Sequence, residues 1–307
     1  MQRHTDGLKI AGAFAAVYLL WGGTYLAIAL GLESIPAFIL IASRSLIGGG
    51  LLLFVSYFRV SRLNPLADWG HAAVGGAFLF IGCHGALAYA QHQVPSGLAA
   101  VLLATIPFWM VLLNLVIARS EPLGKLLGLV PGFTGVALIA WHETSKSAQP
   151  LSWTMILLLL LSALSWAVGS VYSQRRAAHI PSDQLAAMQL ICGAAGLLIL
   201  SALAGEWRGF ALENVTVRSI AGMLYLALLG SVVGNTAYLW LLDRMPAPIV
   251  ATYTFVNPVI ALLLGWCVLG EQVTSVSLCG AALVVSSIVM LLWRSAEKHP
   301  SATRLQP

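Results

Sequence analysis

Long runs of Leu, Ala, Val, Ile and Gly alternate with short clusters of Pro, Arg, Asp and Glu along the whole chain. A helix needs about 20 mainly apolar residues to cross the hydrocarbon core of a bilayer. Ten runs meet that length, over approximately 10–31, 36–58, 69–91, 96–118, 124–141, 152–174, 184–204, 217–242, 247–269 and 273–293. A membrane β-barrel would instead show alternating segments of about ten residues. The pattern therefore predicts an all-α integral membrane fold of ten transmembrane helices with no soluble domain. Arg3 and Lys9 precede the first run in the manner of a signal peptide. That run is long and lacks a small-x-small cleavage pattern, so it reads as a retained span.

Composition agrees. Charged residues are 9% of the 307 and hydrophobic residues 59%, with a mean hydropathy of +0.87; soluble domains carry about 25% and 45–50%. The net charge of +5 is a matter of topology. Ten spans put both termini on one side, with Arg3, Lys9, Arg59, Arg62, Arg119, Lys125, Arg175, Arg176, Arg244, Arg294, Lys298 and Arg304. Only Lys146, Arg208 and Arg218 fall on the other. The positive-inside rule then predicts cytoplasmic termini in the inner (plasma) membrane. No clustered basic domain exists for nucleic acid. Cys83, Cys192, Cys267 and Cys279 all lie in spans without a CxxC and read as packing residues.

The chain also repeats itself. A shift of 145 lays Trp21 on Trp166, Pro36 on Pro181 and Gly48 on Gly193. Further along, a shift of 151 lays Pro95 on Pro246 and Pro107 on Pro258, so "PSGLAAVLLATIP" and "PAPIVATYTFVNP" keep one Pro-to-Pro spacing. Glu121 and Glu271 close spans 4 and 9 at near-equivalent places. The expected units are 1–145 and 146–307, five spans each. An odd number of spans gives the halves opposite orientations, and inverted repeats are an architecture of secondary transporters.

These features together resemble the EamA branch of the drug/metabolite transporter superfamily: two five-span halves, a Trp in spans 1 and 6, an Arg in span 2, and the paired prolines followed by Glu. Within it the chain is most similar to aromatic and neutral amino-acid exporters of the YddG type. The resemblance implies ten helices around a central cavity, spans 5 and 10 at the periphery, and a mainly structural role for the span 2 arginine.

Candidate site residues follow from the few polar groups deep in spans. All eleven Asp and Glu lie in loops or at span ends; a pump for lipophilic cations would normally bury a carboxylate. Arg44, about two turns into span 2, is the one charge deep inside a span. It is a possible partner for a substrate carboxylate, or it snorkels to the interface or meets Glu33. His84 begins a stripe through Ala88 to Gln91, with Tyr89 beside it. Its repeat partner Asn235 begins another with Tyr238. Polar groups facing lipid are costly, so both stripes should face the interior, as cavity lining or as interhelical hydrogen bonds. Trp21 and Trp166 sit too deep for the interfacial belt, among small residues that suit either a pocket or close packing. Pro107 and Pro258 should bend spans 4 and 9 into gates, freeing carbonyls near Leu103 and Thr254 and carrying Trp109 and Tyr253 toward the midplane.

No HExxH, Walker A or GxSxG motif is present, which sets aside those enzyme classes. No cofactor and no obligate protein partner is predicted. The sequence thus points to a secondary transporter that exports small neutral metabolites by alternating access, aromatic or apolar amino acids above all, without proton coupling. A sugar derivative or purine is the alternative cargo, and a channel the alternative class.

Overall fold

The computed structural model describes residues 2–60, 65–118, 129–146, 152–251 and 253–296. Glu121, the first residues of span 5 and the loop 147–151 fall outside them. The described residues are helical and contain no strand. Seven helices are long and apolar enough to cross a membrane: Gly7–Gly31, Ala37–Phe58, Leu66–Ala90, Ser96–Ile117, Trp153–Arg176, Ser182–Ala204 and Val217–Leu242. Val256–Leu269 and Ser275–Ser287 are shorter apolar helices. Large apolar side chains such as Leu19, Phe54, Phe58, Leu161 and Leu203 point outward, as lipid-facing positions should.

Several spans are interrupted, and the interruptions shape the interior. Span 1 divides into α1 (Gln2–Gly22) and α2 (Thr24–Gly31). Span 2 is the unbroken α3 (Ala37–Val60). Span 3 runs α4 (Leu66–Gly76), a π-helical stretch Ala77–Gly85, then α5 (Ala86–Ala90). Span 4 divides into α6 (Ser96–Leu103) and α7 (Ile106–Ala118). After α8 (Leu129–Lys146) come α9 (Trp153–Arg176) and α10 (Ser182–Ala204). Span 8 runs α11 (Val217–Leu224), a π-helical stretch Tyr225–Asn235, and α12 (Thr236–Leu242). Span 9 is α13 (Ala247–Val250) and α14 (Tyr253–Leu264) followed by the π-helical stretch Gly265–Leu269, and α15 (Ser275–Ala296) closes the described chain.

Association inside a bilayer lacks the hydrophobic drive of water, so close backbone approach matters more. Glycine permits it here. A methyl at Gly76 of α4 would lie 2.5 Å from the Gln189 carbonyl of α10, and one at Gly49 of α3 would lie 3.0 Å from the Ala187 carbonyl.

Carboxylates then join helices at the bundle ends. At the end opposite the termini, Glu206 accepts from the backbone N–H groups of Phe38 (3.0 Å) and Ile39 (3.1 Å). Glu271 accepts from those of Ser96 (2.8 Å) and Gly97 (3.2 Å). The residues before these helices, Pro36 and Pro95, have no side chain able to accept. Distant carboxylates therefore satisfy the orphan donors and meet the positive end of each helix dipole. Glu33 pairs with Arg218 at 3.1 Å. At the terminal end, Asp68 contacts His179 at 2.9 Å, His71 meets the Tyr172 hydroxyl at 2.8 Å, and Ser182 donates to Asp243.

Candidate functional site

Four aromatic rings from four spans meet near the middle of the bundle. Trp21 stands at the end of α1, Trp166 midway along α9, Tyr238 on α12 and Tyr253 at the start of α14. Ring centroids lie 5.3 Å apart for Trp21–Trp166, 5.1 Å for Trp21–Tyr238, 4.8 Å for Trp21–Tyr253 and 5.3 Å for Trp166–Tyr238. Edge-to-face and tilted packing of this kind favours aromatic pairs through their quadrupoles. His84 joins the cage, edge-on to Trp166 at 5.2 Å and stacked on Phe80 at 5.5 Å.

The polar tips are bonded among themselves. The Trp166 indole N–H donates to the Tyr238 hydroxyl (3.2 Å), which donates to Ser170 Oγ (2.7 Å), which donates back to the Trp166 carbonyl (2.7 Å). The circuit is closed and ties α9 to α12. The π-helical stretches of spans 3 and 8 each contribute a carbonyl. His84 Nδ1 lies 2.9 Å from the Leu79 carbonyl, and the Trp21 indole N–H donates to the Gly230 carbonyl at 3.0 Å. A carbonyl can only accept, so His84 carries a proton on Nδ1, and in the neutral ring Nε2 is then an acceptor. Leu79 and Gly230 are 151 residues apart, the same shift that relates the two proline-bounded segments. π-Helical turns often mark functional sites because they re-aim backbone groups.

A cavity of about 30 Å³ lies among these rings, bounded by Trp21, Thr24, Tyr25, Cys83, His84 and Leu87 and, across it, by Leu103, Ile106, Trp166, Tyr253 and Asn257. That is room for about two or three waters at most, whereas ligand pockets run to about 300–1,000 Å³. The central cavity is contracted, and a metabolite can enter only if the surrounding spans part.

The predicted residues divide by place. Trp21, His84, Trp166 and Tyr253 bound the cavity, Tyr238 packs against Trp21 and Trp166, and the buried Asn235 follows Gly234, which borders Trp21. Neither amide atom of Asn235 has a partner. Tyr89 is 45% exposed and stacks on Phe38 at 6.0 Å, away from the cavity. Gln91 lies at the end of span 3 and donates to the Tyr25 carbonyl at 3.1 Å. Trp109 packs on the core from α7 and does not bound the cavity. Span 4 breaks at Ala104–Thr105, so Pro107 occupies the first turn of α7, where its missing N–H costs nothing. Pro258 stays inside α14. At the breaks, Thr105 donates to the Leu102 carbonyl (2.7 Å) and Thr254 to the Ala251 carbonyl (2.8 Å).

Arg44 is 2% exposed, with its Nε unpartnered and its guanidinium 6.0 Å from the Phe80 ring centroid. It is enclosed within the bundle, and Glu33 is paired with Arg218 instead. No ion pair among the described residues includes it. Arg44 and Thr24 both border Gly230, so the guanidinium lies close to a residue that bounds the cavity without bounding it itself.

Thr24, Tyr25, Cys83 and Asn257 are wall residues that a search for charges and deep tryptophans passes over. Asn257 had a legible signal: it is a polar residue in mid-span, next to Pro258 and opposite Ile106 in the repeat.

Comparison with known proteins accords with this geometry. The EamA-like transporter family matches twice, over residues 8–141 and 153–293. The uncharacterized inner membrane transporter YedA of Escherichia coli K12 is 32% identical over 289 residues, 92% of this chain and 90% of YedA. A probable amino-acid metabolite efflux pump of Salmonella typhimurium is 28% identical, covering 89% of this chain and 91% of the pump. A crystal structure at 21% identity superposes with a TM-score of 0.67 over 94% of this chain and 98% of that one, a likeness of fold. The chain is thus an all-helical membrane transporter, not an enzyme, and it belongs to the EamA-like transporter family.

Proposed function

We propose that the protein is a ten-span facilitative exporter of small neutral metabolites, above all aromatic and apolar amino acids, working by alternating access in the inner membrane. The observation that carries this reading is a contracted aromatic cage backed by one buried cation without a counter-ion. A charge so placed is costly unless a partner arrives. The Arg44 guanidinium would pair a substrate carboxylate once Trp21 leaves the Gly230 carbonyl, and the rings would hold an apolar side chain. Trp21, Tyr238, Tyr253, Trp166, His84 and Asn235 form the binding region, and the breaks near Pro107 and ahead of Pro258 are the hinges.

The two consecutive family matches support a repeat in units 1–145 and 146–307. The relation between the Leu79 and Gly230 carbonyls supports it further. Inverted halves closing on a midplane site fit alternating access, and the contracted cavity favours it over a continuous pore. The loop charges favour cytoplasmic termini. A relative called a probable amino-acid metabolite efflux pump favours amino acids as cargo. Every acid lies outside the middle of the spans, so the chain lacks the mid-membrane carboxylate on which proton-driven carriers usually rely. The cargo runs down its own gradient.

Counterflow in proteoliposomes, across a panel of amino acids, sugars and nucleosides, tests the reading. Saturable exchange of aromatic amino acids is expected, with no accumulation when a pH gradient is imposed. Exchange confined to sugars or nucleosides overturns the cargo. Accumulation that follows the pH gradient and vanishes in His84→Ala overturns the facilitator.

A further inference from the structure

The cavity wall carries a buried acceptor without a partner, and a buried cation stands near it. Asn257 stands on α14 immediately before Pro258, is 2% exposed and bounds the cavity. Its side chain faces the Tyr25 hydroxyl, while its Oδ1 is buried and unpartnered. Leaving a buried acceptor unmet is costly, because it has given up its bond to water. The equivalent residue in the other half is the apolar Ile106, which also bounds the cavity, so packing alone does not require an amide here. The cation is Arg44, which borders Gly230 together with Thr24. Thr24 and Tyr25 are consecutive at the start of α2, immediately after the break in span 1.

We infer that Asn257 Oδ1 receives the α-ammonium of the substrate and thereby selects zwitterionic amino acids over acids or amines of the same shape. This rests on the amino-acid reading above and goes beyond it by naming the group that reads the amine. No carboxylate bounds the cavity. An ammonium there must be met by neutral acceptors and by ring faces. Asn257 Oδ1 and His84 Nε2 supply the former, and Trp21, Trp166 and Tyr253 the latter through cation–π attraction. A neutral acceptor suits a zwitterion whose carboxylate is already paired with Arg44. A carboxylate at this position would favour bare amines instead.

The test is competition against labelled L-phenylalanine counterflow in proteoliposomes, with L-phenylalanine, 3-phenylpropionate (no amine) and phenethylamine (no carboxylate) as competitors. In the unaltered protein, phenylalanine should compete at least about tenfold better than 3-phenylpropionate, the range of a hydrogen bond to a charged group. Asn257→Ile, which installs the residue of the other half, should bring the two within about threefold, while a melting curve in detergent verifies the fold. Asn257→Asp should improve competition by phenethylamine about tenfold or more, and it keeps the test open if the isoleucine variant does not fold. Discrimination unchanged in the folded isoleucine variant, or no gain for phenethylamine in the aspartate variant, overturns the assignment of Asn257. An unaltered protein that carries no labelled phenylalanine overturns the amino-acid reading itself, a separate result.

Discussion

Replacing Tyr238 by Phe should open the cage. The Tyr238 oxygen accepts from the Trp166 indole N–H and donates to Ser170 Oγ, so its removal deletes two bonds and leaves the indole N–H orphaned in a buried site. An orphaned buried donor costs about 1–3 kcal/mol in general, but interhelical bonds in membranes average about 0.6 and reach about 1.7 kcal/mol. A loss of about 1–2 kcal/mol falls within both ranges. It acts mainly on the contracted state, because the indole can meet water once the spans part. The open population should therefore rise about 5–30-fold. Cys83 is a built-in reporter: it bounds the cavity and is 1% exposed, and about 30 Å³ does not admit a maleimide. With Cys192, Cys267 and Cys279 replaced by alanine, the rate of Cys83 alkylation by a small uncharged maleimide tracks the open fraction. Tyr238→Phe should raise that rate about 5–30-fold. Ser170→Ala should raise it less, since Trp166 keeps its acceptor. An unchanged rate in folded Tyr238→Phe would refute the view that this circuit holds the cage shut.

Three further outcomes follow from the same geometry. Glu271→Gln leaves a single acceptor oxygen for two helix N–H groups and removes the charge from the dipole; the loss should be about 1 kcal/mol, read as a melting point lowered by a few degrees in detergent. A methyl at Gly234 would come within 2.9 Å of Trp21 Cδ1, whereas Gly50 has nothing within 4 Å. Gly234→Ala should therefore cost about 1–3 kcal/mol by overpacking and shift tryptophan emission, and Gly50→Ala should do neither; equal effects would refute the contrast. Reporter fusions at Pro307 and within 147–151 should report cytoplasm and periplasm respectively, and a periplasmic Pro307 would reverse the proposed orientation.

Sequence alone determined the class of this protein, and the reason is local. Twenty apolar residues in a row cost the same free energy in water whatever they pack against, so hydropathy predicts membrane helices without a fold. The doubled Trp and Pro spacings were equally legible, since a repeat is a property of the chain. The two deep tryptophans and the Asn235–Tyr238 stripe were visible because polar tips in hydrocarbon need an interior to face. Which residues meet in that interior was decided by tertiary structure. Successive helix residues point about 100° apart, so Tyr89 turns outward to Phe38 although it lies only five residues beyond His84. The break at Ala104–Thr105 precedes Pro107 instead of following from it, leaving Trp109 off the wall and Ile106 on it. Glu206 and Glu271 look like ordinary loop acids until the bundle brings them to helix starts in the other half of the chain. The contraction of the cavity has no counterpart in any single span, because it depends on Trp21, Trp166, Tyr238 and Tyr253 arriving from four spans at one point.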